Sequence, residues 1–185
     1  MLHKLRRAMV RPAREQLSGE VEVDETMVGG LRPGNPSKRA KNIVIIAAEI
    51  RGNGIGRIRI AKLPNDNGPT IVDFVKKNVV VGSRVSSDGE WAYCWLKDLG
   101  YGHRRLPRAG SAELPRVHRI ASLLKRWLLG TFQGRASPKQ LEHYLDKFAF
   151  RFNRRHSSLR GQLFYRLVQQ CVGHPHTSYR AMIRS

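Results

Sequence analysis

The stretch that decides the fold is residues 43–50, which read Ile-Val-Ile-Ile-Ala-Ala-Glu-Ile. A continuous apolar run of this length is typical of a central strand that is buried on both faces. Before it, residues 20–26 read Glu-Val-Glu-Val-Asp-Glu-Thr and alternate with the period of a strand. After it, Arg-Gly-Asn-Gly at residues 51–54 indicates a turn, and residues 55–63 predict a strand that pairs back. The chain is therefore expected to begin with three antiparallel strands.

Helical and strand patterns alternate beyond the third strand. Residues 70–78 suit a helix, residues 84–87 a short strand, residues 90–99 another helix, and residues 103–106 a last strand. This order, βββαβαβ and then helices, predicts an α/β protein in which three antiparallel strands precede α/β units in one mixed sheet flanked by helices. The carboxyl-terminal part is expected to be helical and basic.

Pattern breaks divide the chain into three expected parts. Residues 1–19 are expected to form a basic helical linker, residues 20–160 the α/β domain, and residues 161–185 a carboxyl-terminal helix and tail. Within the domain, the prolines around residues 107–116 indicate a loop. Ser137 followed by a proline then predicts the amino-terminal cap of another helix.

The charge of the chain points to a polyanionic partner. Its 185 residues include 34 Lys and Arg against 14 Asp and Glu, a formal net charge of +20. The excess is uneven, since residues 104–185 hold 17 basic and 3 acidic side chains and residues 1–103 hold 17 and 11. Nucleic acid is the expected partner, and the carboxyl half is expected to carry most of the phosphate contacts.

The composition also excludes several classes of protein. With 41% hydrophobic residues, the chain has enough apolar side chains for one core and is not a disordered basic tail. Cys94 and Cys171, its only cysteines, match neither a disulfide framework nor paired zinc-ligand spacing. No apolar run approaches the roughly 20 residues that span a bilayer. A soluble, cytoplasmic protein is expected.

Four residues carry candidate chemistry. Asp24 lies in the first predicted strand, and Asp88 follows the fourth. At 100° per residue, His118 and Lys125 fall on one polar stripe of a helix whose opposite side is apolar. An acid on the first strand, a second acid after the fourth and a ligand on a later helix form the layout of the ribonuclease-H-like fold. These residues suggest a polynucleotidyl transferase.

Five pieces of sequence, in consistent order between residues 20 and 172, resemble a known family. They are Glu22–Gly30, Ser87–Gly89 with Tyr93, Gly100–His103, Leu123–Arg126 with Gly130–Phe132, and Phe148–Arg155. In these pieces the chain is similar to the catalytic domain of insertion-sequence transposases of the ISXO2-like group, in the DDE superfamily.

The resemblance implies a divalent-metal phosphoryl transfer that cleaves DNA at 3′ ends and joins them to target DNA. It assigns Asp24 to both of two Mg²⁺ or Mn²⁺ ions and Asp88 to the second ligand position. The third position, often Asn or Glu in the group, holds His118 here, and a neutral imidazole suits Mn²⁺ better than Mg²⁺. Lys125 would hold the phosphate beside the scissile bond.

The resemblance also implies partners. These are the element ends and the target DNA, bound by a homo-oligomer associated with the nucleoid. Family members carry an amino-terminal zinc ribbon and a helix-turn-helix that are not found in this sequence, so a truncated copy is expected. The residues predicted to contact DNA are Lys125, Arg126, Arg151, Arg154 and Arg155.

Each assignment has a simpler alternative. Asp24 fits an exposed strand acid, and Asp88 fits a turn residue or a helix cap. His118 fits a helix-start residue or a hydrogen-bond donor to DNA, and Lys125 fits a solvated lysine. For the whole chain, the alternatives are a non-catalytic DNA-binding remnant, a domesticated transposase, or a structure-selective nuclease of the same fold. If His118 binds no metal, the next candidates for the third ligand are Glu22 and Glu113.

Overall fold

The computed structural model describes residues 5–6, 8–10, 14–29, 42–89, 91–106, 114–132 and 140–173. Within these residues, five strands and four α-helices are joined by loops and one 3-10 helix at Trp91–Leu96. In chain order the elements are β1 (Glu20–Val28), β2 (Asn42–Arg51), β3 (Gly54–Leu63), α1 (Gly68–Asn78), β4 (Arg84–Ser87), β5 (Gly102–Arg105), α2 (Pro115–Phe132), α3 (Leu141–Asn153) and α4 (Arg160–Val172).

The five strands form one mixed sheet in the order β3-β2-β1-β4-β5. β1, β2 and β3 pair antiparallel, whereas β4 pairs parallel to both β1 and β5. In β2, residues 44–48 are fully buried, as the continuous apolar run predicts for a central strand. The structure thus confirms the predicted mixed sheet of three antiparallel strands followed by α/β units.

Helices cover both faces of this sheet. On one face, Val21 and Val23 of β1 join a core with Phe74 of α1 and with Tyr93 and Leu96 of the 3-10 helix. On the other face, α2 contacts β1 and β2 through its buried apolar side. Because side chains alternate along a strand, Glu22 and Asp24 of β1 lie on the α2 face.

The chain divides into two compact units, residues 15–136 and residues 1–14 with 137–185. The first unit contains the sheet with α1 and α2. The second contains α3 and α4. The buried side of α3 includes Leu141, Tyr144 and Leu145. The predicted domain boundaries at residues 19 and 160 stay a prediction. None of the described helices is long and apolar enough to cross a membrane.

Several element boundaries differ from the sequence expectations. The helix predicted over residues 90–99 is a shorter 3-10 helix, and α2 begins at Pro115, inside the predicted loop. Within the predicted basic helical linker of residues 1–19, Leu17 forms a parallel bridge with Val79. Leu17 is fully buried and belongs to the hydrophobic core. The predicted cap Ser137 lies outside the described residues.

Candidate active site

The parallel pairing of β1 and β4 brings Asp24 and Asp88 together. The register joins Glu22 to Ser86, so the next position on the same face sets Asp24 beside Asp88. One carboxylate oxygen from each, together with one from Glu25, forms a group in which all atoms lie within 4.8 Å of one another. The first predicted pair of acids therefore converges as the fold layout requires.

The backbone around Asp88 is held by two side chains. The fully buried Ser87 hydroxyl donates to the carbonyl oxygen of Asp88 at 3.1 Å and lies 2.9 Å from Nε2 of His103. Arg105 Nε donates to the carbonyl oxygen of Gly89 at 3.0 Å. The position of Asp88 at the end of β4 is therefore fixed on both sides.

Glu25 is the member of the group that the sequence did not predict. Its carboxylate accepts a 2.6 Å hydrogen bond from the hydroxyl of Tyr93, which is fully buried in the 3-10 helix just after Asp88. Strand alternation places Glu25 on the opposite face from Asp24. β1 continues beyond the end of β4, however, and the hydrogen bond from Tyr93 holds the carboxylate near the other two acids.

Glu22, one of the two substitutes for the third ligand, anchors α2. Its side chain is 3% exposed, and Oε2 accepts hydrogen bonds from the backbone N–H groups of Arg116 at 2.8 Å and Val117 at 2.9 Å. Nη1 of Arg116 lies 3.1 Å from Oε1. The first N–H groups of a helix have no acceptor within it and favour an anion, so Glu22 caps the amino end of α2.

This anchoring brings His118 to the site. His118 lies in the first turn of α2, and its Nε2 is 3.0 Å from Oδ2 of Asp24. The group of three ligand atoms within 4.8 Å consists of Asp24, Glu25 and Asp88. The structure therefore brings His118 to Asp24, while Glu25 supplies the third carboxylate of the cluster. Glu113, the other substitute, lies outside the described residues.

The electrostatics of the cluster show an excess of negative charge. Burial raises the pKa of Asp24, and Asp88 raises it further, whereas His118 lowers it. Burial also raises the pKa of Glu25 to about 7, against the lowering effect of the Tyr93 hydrogen bond and with a further rise from Asp24 and Asp88. A cation bound among these carboxylates would stabilise their ionised forms.

The predicted phosphate contacts lie in both compact units. Lys125 and Arg126 are exposed on α2, seven and eight residues beyond His118. Arg151 is exposed on α3, while the guanidinium groups of Arg154 and Arg155 lie over the rings of Phe150 and Phe152 at 3.8 Å and 4.0 Å. All five stay predicted DNA contacts.

Comparisons with known proteins show the family and the fold of this chain. The sequence profile of a family described as ISXO2-like transposase domain matches residues 16–153, which contain Asp24, Asp88, His118 and Lys125. A search of curated protein sequences gave no significant match.

Solved structures with a similar fold include viral integrase cores. The catalytic core domain of BIV integrase has a TM-score of 0.50 and 16% identity, covering 85% of this chain and 99% of the core. The HTLV-2 integrase catalytic core, solved in complex with magnesium as a dimeric form, has a TM-score of 0.45 and 14% identity over 76% and 88% of the two chains. The likeness to the BIV core confirms the predicted ribonuclease-H-like fold.

Proposed function

Because the chain belongs to the ISXO2-like transposase domain family, we propose that it cleaves DNA at 3′ ends and transfers them to target DNA. The convergence of Asp24 and Asp88 at matching ends of β1 and β4 carries this proposal. The test is incubation with DNA and MnCl₂, followed by separation of the strands on a denaturing gel. Retention of intact strands by wild-type protein would contradict catalysis and leave the DNA-binding remnant as the explanation.

The donor set fits a divalent metal ion. Asp24, Glu25 and Asp88 offer the hard oxygen ligands that Mg²⁺ and Mn²⁺ accept. The raised pKa values of Asp24 and Glu25 support the fit, because a cation would balance their charge. When bound, two such ions would activate a water or a 3′-hydroxyl and stabilise the leaving oxygen. Asp24 is the proposed shared ligand, and Asp88 would be the second ligand.

The other residues of the site have distinct proposed roles. His118 is the third ligand on α2, a role supported by its 3.0 Å contact with Asp24. Glu25 is a further carboxylate of the site, held by Tyr93. Lys125 would hold the phosphate beside the scissile bond, because its exposed ammonium group lies two helical turns beyond His118.

Divalent metal should stabilise the folded protein through these acids. Millimolar MnCl₂ is expected to raise the melting temperature of the wild type by about 5–10 °C, if the ion concentration reaches about a hundred times its dissociation constant. Asp24→Asn and Asp88→Asn should lose most of this shift, and Glu25→Gln and His118→Ala part of it. The measurement is differential scanning fluorimetry with and without EDTA.

An exposed acid in the same unit provides the control for metal binding. Asp73 lies on α1 and pairs with Lys77 at 2.7 Å, so Asp73→Asn should retain the full metal-dependent shift. A full shift in Asp24→Asn would show that Mn²⁺ binds elsewhere. A full shift in His118→Ala would remove His118 from the proposed ligands.

Binding to duplex DNA should depend steeply on salt and little on sequence. Each phosphate contact contributes about 0.9 to the slope of log affinity against log salt concentration. Replacing Arg151, Arg154 and Arg155 together by Gln is expected to reduce the slope by about 2–3, measured by fluorescence anisotropy of a labelled duplex. Lys76→Gln, an exposed position on α1, is the single-charge control. A salt-independent affinity of the wild type would exclude this mode of binding.

Self-association on DNA stays a prediction. α4 exposes Phe164, Val168 and Val172 at helical spacing, which is compatible with a helix-to-helix contact. Analytical ultracentrifugation of the protein with and without duplex measures the oligomeric state.

A further inference from the structure

A second feature of the sheet face that carries Asp24 and Asp88 is a cavity of about 680 Å³. Its floor is formed by alternate residues of β1, β4 and β5, which lie in two cross-strand rows. One row runs through Glu20, Arg84 and Gly102, and the next through Glu22, Ser86 and Arg104. Continuing the register by two residues leads to Asp24 and Asp88, so the cavity opens on the face that carries the acids.

Two residues of the cavity floor, Ser86 and Gly102, have little or no side chain. Ser86 lies in the middle of one row and Gly102 at the β5 end of the other. Longer side chains surround them. A Cβ built on Gly102 would meet Cα of Arg84 at 3.6 Å, an ordinary contact, so the strand itself tolerates a side chain there. The absence of a side chain at this position therefore leaves open volume on the face.

The lining carries an excess of positive charge. Each of its two acids is already paired, Glu20 with Arg84 at 2.7 Å and Glu22 with Arg116 at 3.1 Å. Lys97 and Arg104 remain, and neither forms an ion pair with any residue in the described part of the chain.

Burial lowers the pKa of His103, which also lines the cavity, and the positive charges of Lys97 and Arg105 lower it further. Because Lys97 and Arg104 give the lining a net positive charge, the cavity is expected to attract anions.

We propose that this cavity binds the sugar–phosphate backbone of the DNA strand that carries the reacting phosphate, with Lys97 and Arg104 as its phosphate contacts. The inference rests on the proposed function, because the same strand must pass Asp24 and Asp88. Two residues along a strand span about 6.6 Å, so the row of Arg104 and the row of the acids are one short step apart. A DNA strand that lies along β1 and β4 would reach both rows.

Charge removal provides the first test. Arg104→Ala and Lys97→Ala should each weaken binding to a labelled 20-base-pair duplex by about fivefold to tenfold near 0.1 M salt and reduce the salt slope by about 0.9. Lys76→Ala, which removes an exposed lysine on the opposite side of the sheet, should change the affinity less than twofold. Unchanged slopes in both cavity variants would overturn the proposal.

Filling the cavity without changing charge provides the second test. Gly102→Val should weaken duplex binding by a similar factor while the melting temperature stays close to that of the wild type. Wild-type affinity in a folded Gly102→Val protein would overturn the proposal. Displacement of the duplex by submillimolar thymidine monophosphate would assign the cavity to free nucleotides instead and would also overturn it.

Binding is measured in EDTA, which separates this inference from the catalytic one. If the wild type cleaves DNA and the cavity variants bind normally, the cavity assignment fails and the proposed function stands. If the cavity variants lose affinity and the wild type does not cleave, the DNA contact stands and the catalytic proposal fails.

Discussion

Asp24→Asn and Asp88→Asn should each reduce metal-dependent DNA cleavage by at least about a thousandfold. Stabilisation of the transition state by a metal ion amounts to several kcal/mol, and each 1.36 kcal/mol corresponds to a factor of ten in rate. An amide keeps the shape of the side chain but removes the charge that holds a divalent ion. The measurement is the single-turnover rate of strand cleavage with saturating protein and MnCl₂.

The same variants should retain DNA binding. Neither residue offers a positive charge to phosphate, and replacing an acid removes local repulsion, so affinity in EDTA should equal or exceed that of the wild type. Asp73→Asn, at an exposed acid on α1, is the matched control for the loss of one carboxylate. Cleavage by Asp24→Asn near the wild-type rate would contradict the assignment of the site.

Glu22→Ala should lower the free energy of unfolding by about 3–5 kcal/mol, the cost of removing one partner from a buried ion pair. It would leave two backbone N–H groups at the start of α2 and the guanidinium of Arg116 without their acceptor. Glu22→Gln should cost less, because its amide oxygen still accepts from the backbone. Chemical denaturation followed by circular dichroism measures both.

Glu20→Ala provides the control on the same strand and face. Glu20 also pairs with an arginine, at 2.7 Å, but the side chains of both partners are more than half exposed, so its loss should cost at most about 1 kcal/mol. Equal losses for Glu20→Ala and Glu22→Ala would contradict the anchoring role. Because α2 carries His118, Glu22→Gln should also reduce cleavage more than it reduces DNA binding.

The sheet was predictable because its strands have strong burial patterns. The apolar run of β2 and the alternating pattern of β1 each fit a strand and no other element. β4 was predicted with its observed bounds. The region after β4 was harder, since Trp91, Tyr93 and Trp95 suggest a packed helix. Only Tyr93 is buried, whereas Trp91 and Trp95 are 72% and 54% exposed in a 3-10 helix.

The candidate site was predictable where it depends on strand ends and not where it depends on side-chain partners. Asp24 and Asp88 converge because the topology aligns β1 with β4. The period of two grouped Glu22 with Asp24, but the amino end of α2 captures Glu22, and Tyr93 holds Glu25 near the acids. Both outcomes depend on residues about 70 to 95 positions away, which local sequence patterns do not connect.

The two short parallel strands have a consequence for insertions and deletions. β4 is only four residues long, and its pairing with β1 alone aligns Asp88 with Asp24. Because successive side chains point to opposite faces, the loss or gain of one codon between residues 84 and 87 would turn Asp88 towards α1. A change of two codons would keep the face but move Asp88 by a whole row. Any change in the length of this strand therefore separates the two acids.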